Sequence, residues 1–293
     1  MSSQPEEQIL QSARELVRRE GAATADVAEQ LGPSFVAAVA LLLDCRGKVF
    51  VTGSGTSGAV ARRMAHLLSV CGTPAVFIHP MDALHGSLGA LTGEDVLIAI
   101  SRGGRSAELN DFAGRALKRG VRVASLTADE DSALGRLADL SVQIAAAEDA
   151  DPGAVIAMGS TLAVSAWGDA LAVTLMRLRG HSWAEVLATH PAGAVGQLIE
   201  LPDESVSVGL TAAACTRIRT SPVPGTGSGN SITRSTSGPP NSVRPIARMS
   251  TVSSSTSVIE LELMGCVRRR RRRAVTPRWG WRRPRGCPRT SAN

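Results

Sequence analysis

The stretch Val49-Phe50-Val51-Thr52-Gly53-Ser54-Gly55-Thr56-Ser57-Gly58, continued by Ala59-Val60-Ala61-Arg62-Arg63-Met64-Ala65-His66-Leu67-Leu68, decides the reading of this chain. An apolar β-branched run stops at two glycines, and apolar residues then resume at helical spacing in Val60, Met64, Leu67 and Leu68. The pattern predicts a buried strand, a tight turn and a helix. Such a turn suits an anion. Glycine lets the backbone come close to a ligand, the first N–H groups of a helix lack partners within it, and the dipole favours negative charge.

Working outward, short apolar runs recur at 48–52, 75–79, 96–101, 121–126 and 140–144, with helical segments near 57–70, 106–119 and 131–138 between several of them. Strands buried on both faces that alternate with helices imply a three-layer α/β fold around a five-stranded parallel sheet. Ligands in such sheets sit beyond the carboxyl ends of the strands, where the strand order reverses. That places 53–57, 79–85 and 101–106 around one crevice. A long apolar helix follows at about 157–178.

Before the first strand, helical periodicity appears twice, at Ile9, Leu10, Ala13, Leu16 and Val17 and again from Val27 to Leu43, with Gly21-Ala22 read as the break. These N-terminal helices (1–45) are expected to pack on the body or on a partner subunit. The body (46–200) ends with His181, Ser182 and Trp183 and then His190-Pro191-Ala192-Gly193-Ala194-Val195-Gly196. Beyond it, 201–293 loses all periodicity and is rich in Ser, Thr, Pro, Gly and Arg, so a disordered tail is expected. A shifted reading frame in a GC-rich gene would produce the same composition.

The charge follows this division. Residues 1–200 carry 16 Lys and Arg against 22 Asp and Glu, whereas 201–293 carry 16 against 4. The overall charge of +6 therefore averages an acidic body and a basic tail, and nucleic acid is expected only as a non-specific ligand of the arginine run at 268–273. Five cysteines form no paired framework and no C-x-x-C cluster, which points to a reducing, cytoplasmic compartment and away from structural zinc. The N-terminus lacks a basic and apolar leader, and no apolar run is long enough to span a bilayer, so no membrane partner is expected.

The loop fits G-x-G-x-x-G, the dinucleotide-binding pattern, but that reading wants an acidic residue at the tip of the second strand, where this chain has His79-Pro80. Three hydroxyls, Ser54, Thr56 and Ser57, instead suit a compact phosphate monoester. The next strand repeats the logic in Ser101-Arg102-Gly103-Gly104-Arg105-Ser106. Ser106 could equally be a simple helix cap. Taken together, Gly53, Ser54, Gly55, Thr56, Ser57, Ser101, Gly103, Arg105 and Ser106 form the expected phosphate pocket. Glu108, inside the following helix, is read as solvated or paired.

From about residue 35 to 198 the chain resembles the sugar isomerase (SIS) domain, and within it the arabinose-5-phosphate isomerases. The resemblance rests on Val51-Thr52-Gly53-Ser54-Gly55-Thr56-Ser57-Gly58, on His79-Pro80-Met81-Asp82-Ala83-Leu84-His85-Gly86-Ser87-Leu88-Gly89, on Ala99-Ile100-Ser101, on Gly168-Asp169-Ala170-Leu171-Ala172 and on the motif from His190 to Gly196. It implies a flavodoxin-like sheet, a phosphorylated sugar as ligand, aldose–ketose isomerisation, and a homo-oligomer, either dimer or tetramer. It also implies that His190 reaches a neighbouring subunit's pocket. His85 and His190 match positions that the family uses as acid or base, and Asp149 aligns with a family glutamate, which makes these three the expected catalytic residues. No cofactor and no metal are called for. Thr56 stands where the isomerases carry a lysine, and Arg105 where they carry a glutamate. Those departures define the alternative, a catalytically silent phosphosugar sensor.

Overall fold

The computed structural model describes residues 3–192. The expected tail at 201–293, the frame shift considered for it and the Gly193–Gly196 part of the last motif lie outside them. Three helices open the chain: α1 (Ser3–Ala25), α2 (Val27–Gln30) and α3 (Pro33–Leu43). Strands β1 (Val49–Thr52), β2 (Ala75–Phe77), β3 (Val96–Ile100), β4 (Arg122–Thr127) and β5 (Leu140–Gln143) follow. Between and after them run α4 (Gly55–Val70), α5 (Pro80–Leu84), α6 (Ala107–Lys118), α7 (Ala133–Leu137), α8 (Gly159–Arg179) and α9 (Trp183–Ala188). The strands form one parallel sheet in the order β2-β1-β3-β4-β5.

Side chains of successive strand residues point to opposite faces, and this period of two builds two cores. Val49, Val51, Val96, Ile98, Ile100, Ala124 and Leu126 join Leu42, Met64, Leu68, Trp167 and Leu171 on the face covered by α3, α4 and α8. Phe50, Leu97, Ala99 and Val123 join Ala83, Leu109, Phe112 and Leu134 on the face covered by α5, α6 and α7. With both faces covered, the strands read as unbroken apolar runs.

Two boundaries differ from expectation. Gly21 does not end the first helix, because nothing crowds it and α1 continues to Ala25. The break falls at Gly32, after which Pro33 takes the first position of α3, where its missing N–H costs nothing. The second strand stops at Phe77 rather than 79, because His79 is used to start α5: its Nδ1 accepts the Met81 N–H at 3.3 Å. The apolar α3 buries Ala37 to Leu43 within its own chain, packed on α8 and β5, with Phe35 edge-on to Trp167 at 5.5 Å. Among the described residues no single helix is long and apolar enough to cross a membrane.

Candidate functional site

In this order the chain leaves β1 toward one edge of the sheet and β3 toward the other. The loops after those two strands diverge and open a crevice at their carboxyl ends. They are 53–57 and 101–106, the two hydroxyl-rich loops.

Each glycine of the first loop has its own reason. A Cβ on Gly53 would lie 2.9 Å from the Ser57 backbone, and one on Gly58 would lie 2.7 Å from the Gly53 carbonyl oxygen, so strand end and helix start touch through hydrogen atoms. Gly55 is different: it stands in open space but has a φ of +58°, which L side chains rarely adopt. The result is a turn that presents the first N–H groups of α4 outward. Ser54 is the residue before α4, yet its side chain does not cap the helix. By contrast α5, α7 and α9 are capped by His79, Ser132 and Ser182. The amino end of α4, at the crevice, is left with donors to offer.

The Ser54 hydroxyl donates instead to Glu108 Oε1 at 2.8 Å, across 54 residues of sequence. Glu108 sits in the first turn of α6, so this bond ties the two loops together. Its own backbone N–H and the Ser54 hydroxyl hold the Glu108 carboxyl below its usual range, with attraction from His79 added. His79 borders the same opening, its ring edge-on to Phe77 at 6.5 Å, and Arg62 lies 4.0 Å over the Phe77 ring.

In the second loop Ser101 is only 7% exposed, and its Oγ accepts the Gly104 N–H at 3.2 Å. A hydroxyl that accepts keeps its own proton for another acceptor. Ser106 occupies the cap position of α6 without making a cap bond, so capping does not account for it. Gly103 and Thr56 are exposed. The Arg105 side chain is 84% exposed and faces Asp129 Oδ2 at 4.0 Å.

The segment from 145 to 158 is tied to the loop after β3 by an ion pair from the half-buried Arg102 to the buried Asp151. Arg102 Nε lies 3.3 Å from Asp151 Oδ2, and its Nη1 donates to the Ala154 carbonyl at 3.1 Å. Asp151 is 1% exposed, and its Oδ1 accepts the Met158 and Ser160 N–H groups at 2.8 and 3.0 Å, which caps α8. Burial pushes the Asp151 carboxyl up, but the Ser160 and Met158 donors and the Arg102 charge outweigh it, and the group stays below its ordinary value. Ser57, Arg102, Ser160 and Thr161 line a recess of about 20 Å³, room for a water molecule and no more.

The three expected catalytic residues are not brought together within one chain. Asp149 is 63% exposed and pairs with Arg19 Nε of α1 at 3.6 Å. His85 is exposed at the end of α5, which packs against α6. His190 lies after α9. Helix α8 carries the chain roughly 30 Å from the crevice to the opposite end of the sheet. There His181 packs on Gly72 and α9 begins, with His190 Nδ1 donating to the Val186 carbonyl at 2.7 Å. Sequence reading missed Arg102 and Asp151 as a pair and the bond from Ser54 to Glu108. An acidic residue in a first helical turn beside a hydroxyl loop was the only available signal for Glu108.

The chain belongs to the SIS domain family, whose model matches residues 41–174. It is 36% identical over 188 residues to the arabinose 5-phosphate isomerase GutQ of Salmonella typhi, covering 64% of this chain and 59% of that protein. Against GutQ of Escherichia coli O6:H1 (strain CFT073) it is 34% identical over 215 residues, 71% of this chain and 67% of the relative. A solved structure of an E. coli CFT073 protein in complex with A5P superposes with a TM-score of 0.62 at 31% identity, over 65% of this chain and all (100%) of that one. The chain thus spans about 59% of the length of the Salmonella relative.

Proposed function

We propose that this chain binds a phosphorylated sugar in the crevice between 53–57 and 101–108 and interconverts its aldose and ketose forms through an enediolate. The observation that carries this reading is the uncapped amino end of α4, flanked by Ser57 and by a Ser101 hydroxyl whose proton is uncommitted, at the strand-order switch. It is supported by relatives named arabinose 5-phosphate isomerases and by a related structure that holds A5P. The N–H groups and hydroxyls would hold the phosphate. His85, His190 of a neighbouring subunit and Asp149 would move the protons between carbon and oxygen. Such a site requires a homo-oligomer, and cysteine usage suits a cytoplasmic setting.

A second reading, a phosphosugar sensor without chemistry, is favoured by three observations. Asp149 is engaged by Arg19, Arg105 turns to Asp129, and Thr56 offers no titratable group. Incubating the full chain with tetrose, pentose and hexose phosphates in deuterated water separates the two. Isomerisation predicts deuterium at the carbon beside the carbonyl of one substrate, lost in both His85→Ala and His190→Ala. Binding without exchange for every sugar would leave the sensor. Exchange that persisted in both variants would remove those histidines from the site.

A further inference from the structure

We infer, on the isomerase reading above, that Arg102 and Asp151 are positioning residues: they hold Asp149 in a fixed place relative to the loop after β3, and so set the turnover of a bound sugar phosphate rather than its affinity.

The chain after β5 makes two tight turns, Glu148–Ala150 and Pro152–Ala154. Asp149 is 63% exposed on the first, with Arg19 against its carboxylate, but the two residues that follow it are locked. Ala150 is fully buried, and a Cβ on Gly159 would lie 2.5 Å from its methyl group, so a glycine at the start of α8 is what lets it seat. Asp151 is held through its side chain by the Met158 and Ser160 N–H groups and by Arg102. Its backbone belongs to both turns. The Asp151 N–H donates to the Glu148 carbonyl at 3.2 Å, and the Asp151 carbonyl accepts the Ala154 N–H at 2.8 Å. Two residues of chain reach at most about 7 Å, so Asp149 stays beside this anchor.

The other end of the pair is equally fixed. The Arg102 carbonyl accepts the Ala128 N–H at 2.9 Å and the Thr127 hydroxyl at 3.0 Å, which binds its backbone to the end of β4. Its side chain reaches both Asp151 and the Ala154 carbonyl. Ala154 has a φ of +57°, the one positive value outside glycine among the described residues. That conformation costs about 1 kcal/mol and persists where the surroundings over-determine it.

Stability does not account for the pair. Burying Asp151 costs desolvation that its attraction to Arg102 offsets only in part, and apolar residues of similar size often hold a fold as well. What the pair adds is register. Arg102 follows Ser101, a residue of the proposed phosphate grip, and Asp151 follows the proposed base by two positions. Proton transfer needs the base within hydrogen-bond reach of the reacting carbon, and a misplacement of about 1 Å can cost on the order of 100-fold.

The deuterium-exchange assay above tests this with the full chain, on whichever of the tetrose, pentose and hexose phosphates wild type exchanges, for Asp151→Asn, Arg102→Met and the double variant. Asparagine keeps an oxygen for the Met158 and Ser160 N–H groups, and the double variant leaves no charge buried alone; a thermal melt and an inorganic phosphate titration check that it is folded. The expected result is a kcat lower by about tenfold or more with KM within about threefold, each single variant losing about as much as the double because the pair acts as a unit. Arg102→Lys keeps the charge beside Asp151 and gives up the Ala154 carbonyl, so its kcat should fall about threefold, and it carries the test if the double variant does not fold. Wild-type kcat in the folded double variant, or failing that in Arg102→Lys, would make the pair a structural tie and overturn the inference. A raised KM at unchanged kcat would make Arg102 a ligand of the phosphate and overturn it equally. A wild type that exchanges no sugar phosphate would instead sink the isomerase reading itself, and the positioning role with it.

Discussion

A serine hydroxyl has one proton, and its destination separates Ser54 from Ser101. Ser54 gives its proton to Glu108, whereas Ser101 accepts from Gly104 and can still donate. Ser101→Ala is therefore expected to weaken inorganic phosphate binding about tenfold by calorimetry. Its cost to stability should stay near 1 kcal/mol in a denaturant titration, because the Gly104 N–H keeps the Ser101 carbonyl at 3.2 Å. Two buried carboxylates set the acid limit of the fold. Burial pushes Asp95 up, but the Lys48 N–H, the Thr92 N–H and the Thr92 hydroxyl hold it below its ordinary value, as Ser160, Met158 and Arg102 do for Asp151. A group depressed in the folded state contributes stability that is complete above its unfolded value, about pH 4, and is lost as pH falls through the lower folded value. Denaturation midpoints measured from about pH 6 to about pH 3 should drop most steeply below about pH 4. Asp95→Asn should lower the neutral plateau and flatten that drop. At this scale the hydroxyl-bearing positions were legible in sequence because type and spacing identify them. The partners of Ser54 and Arg102 were not, since they lie 54 residues away and, for Ala154, 52 residues away, and only the folded sheet brings them into reach.

Helix starts divide into those that are closed and those that are left open. Ser132 accepts the Gly135 N–H at 3.2 Å and closes α7, while Ser106 makes no such bond at α6. Ser132→Ala should cost about 1 kcal/mol, and Ser106→Ala less than about 0.5, by urea denaturation followed by far-UV circular dichroism. The reverse result would mean that Ser106 is a cap after all. Strand and helix alternation was legible because the sheet is buried on both faces and its apolar runs are short and bounded by turn residues. The break between the first helices was not. A lone glycine in a helix costs only about 1 kcal/mol, which the packing of α1 on α8 can offset, so Gly21 did not interrupt it. The tip of β2 was misplaced for a different reason. His79 continues the apolar run in sequence, but its ring is needed as an acceptor at the start of α5.

For the whole molecule, the uneven distribution of apolar surface matters most. Ile9 and Val17 on α1, together with Val155, Ile156 and Leu162 near the start of α8, are exposed in the single chain. Apolar surface of this kind marks sites of association, and in the proposed chemistry His190 would meet the crevice loops of a neighbouring subunit. Sedimentation velocity is expected to give a multiple of the 30.4 kDa chain mass, and a monomer at micromolar concentration would remove His190 from the proposed chemistry. The central claim, that the crevice between β1 and β3 grips a phosphate through the open end of α4, is tested most directly by titrating the ¹⁵N-labelled full chain with D-arabinose 5-phosphate and following backbone amide shifts. The largest shifts are expected at Gly55, Thr56 and Ser57, with smaller ones at Ser101 and Gly104. Shifts confined to α8 and α9, or none at saturating ligand, would contradict it.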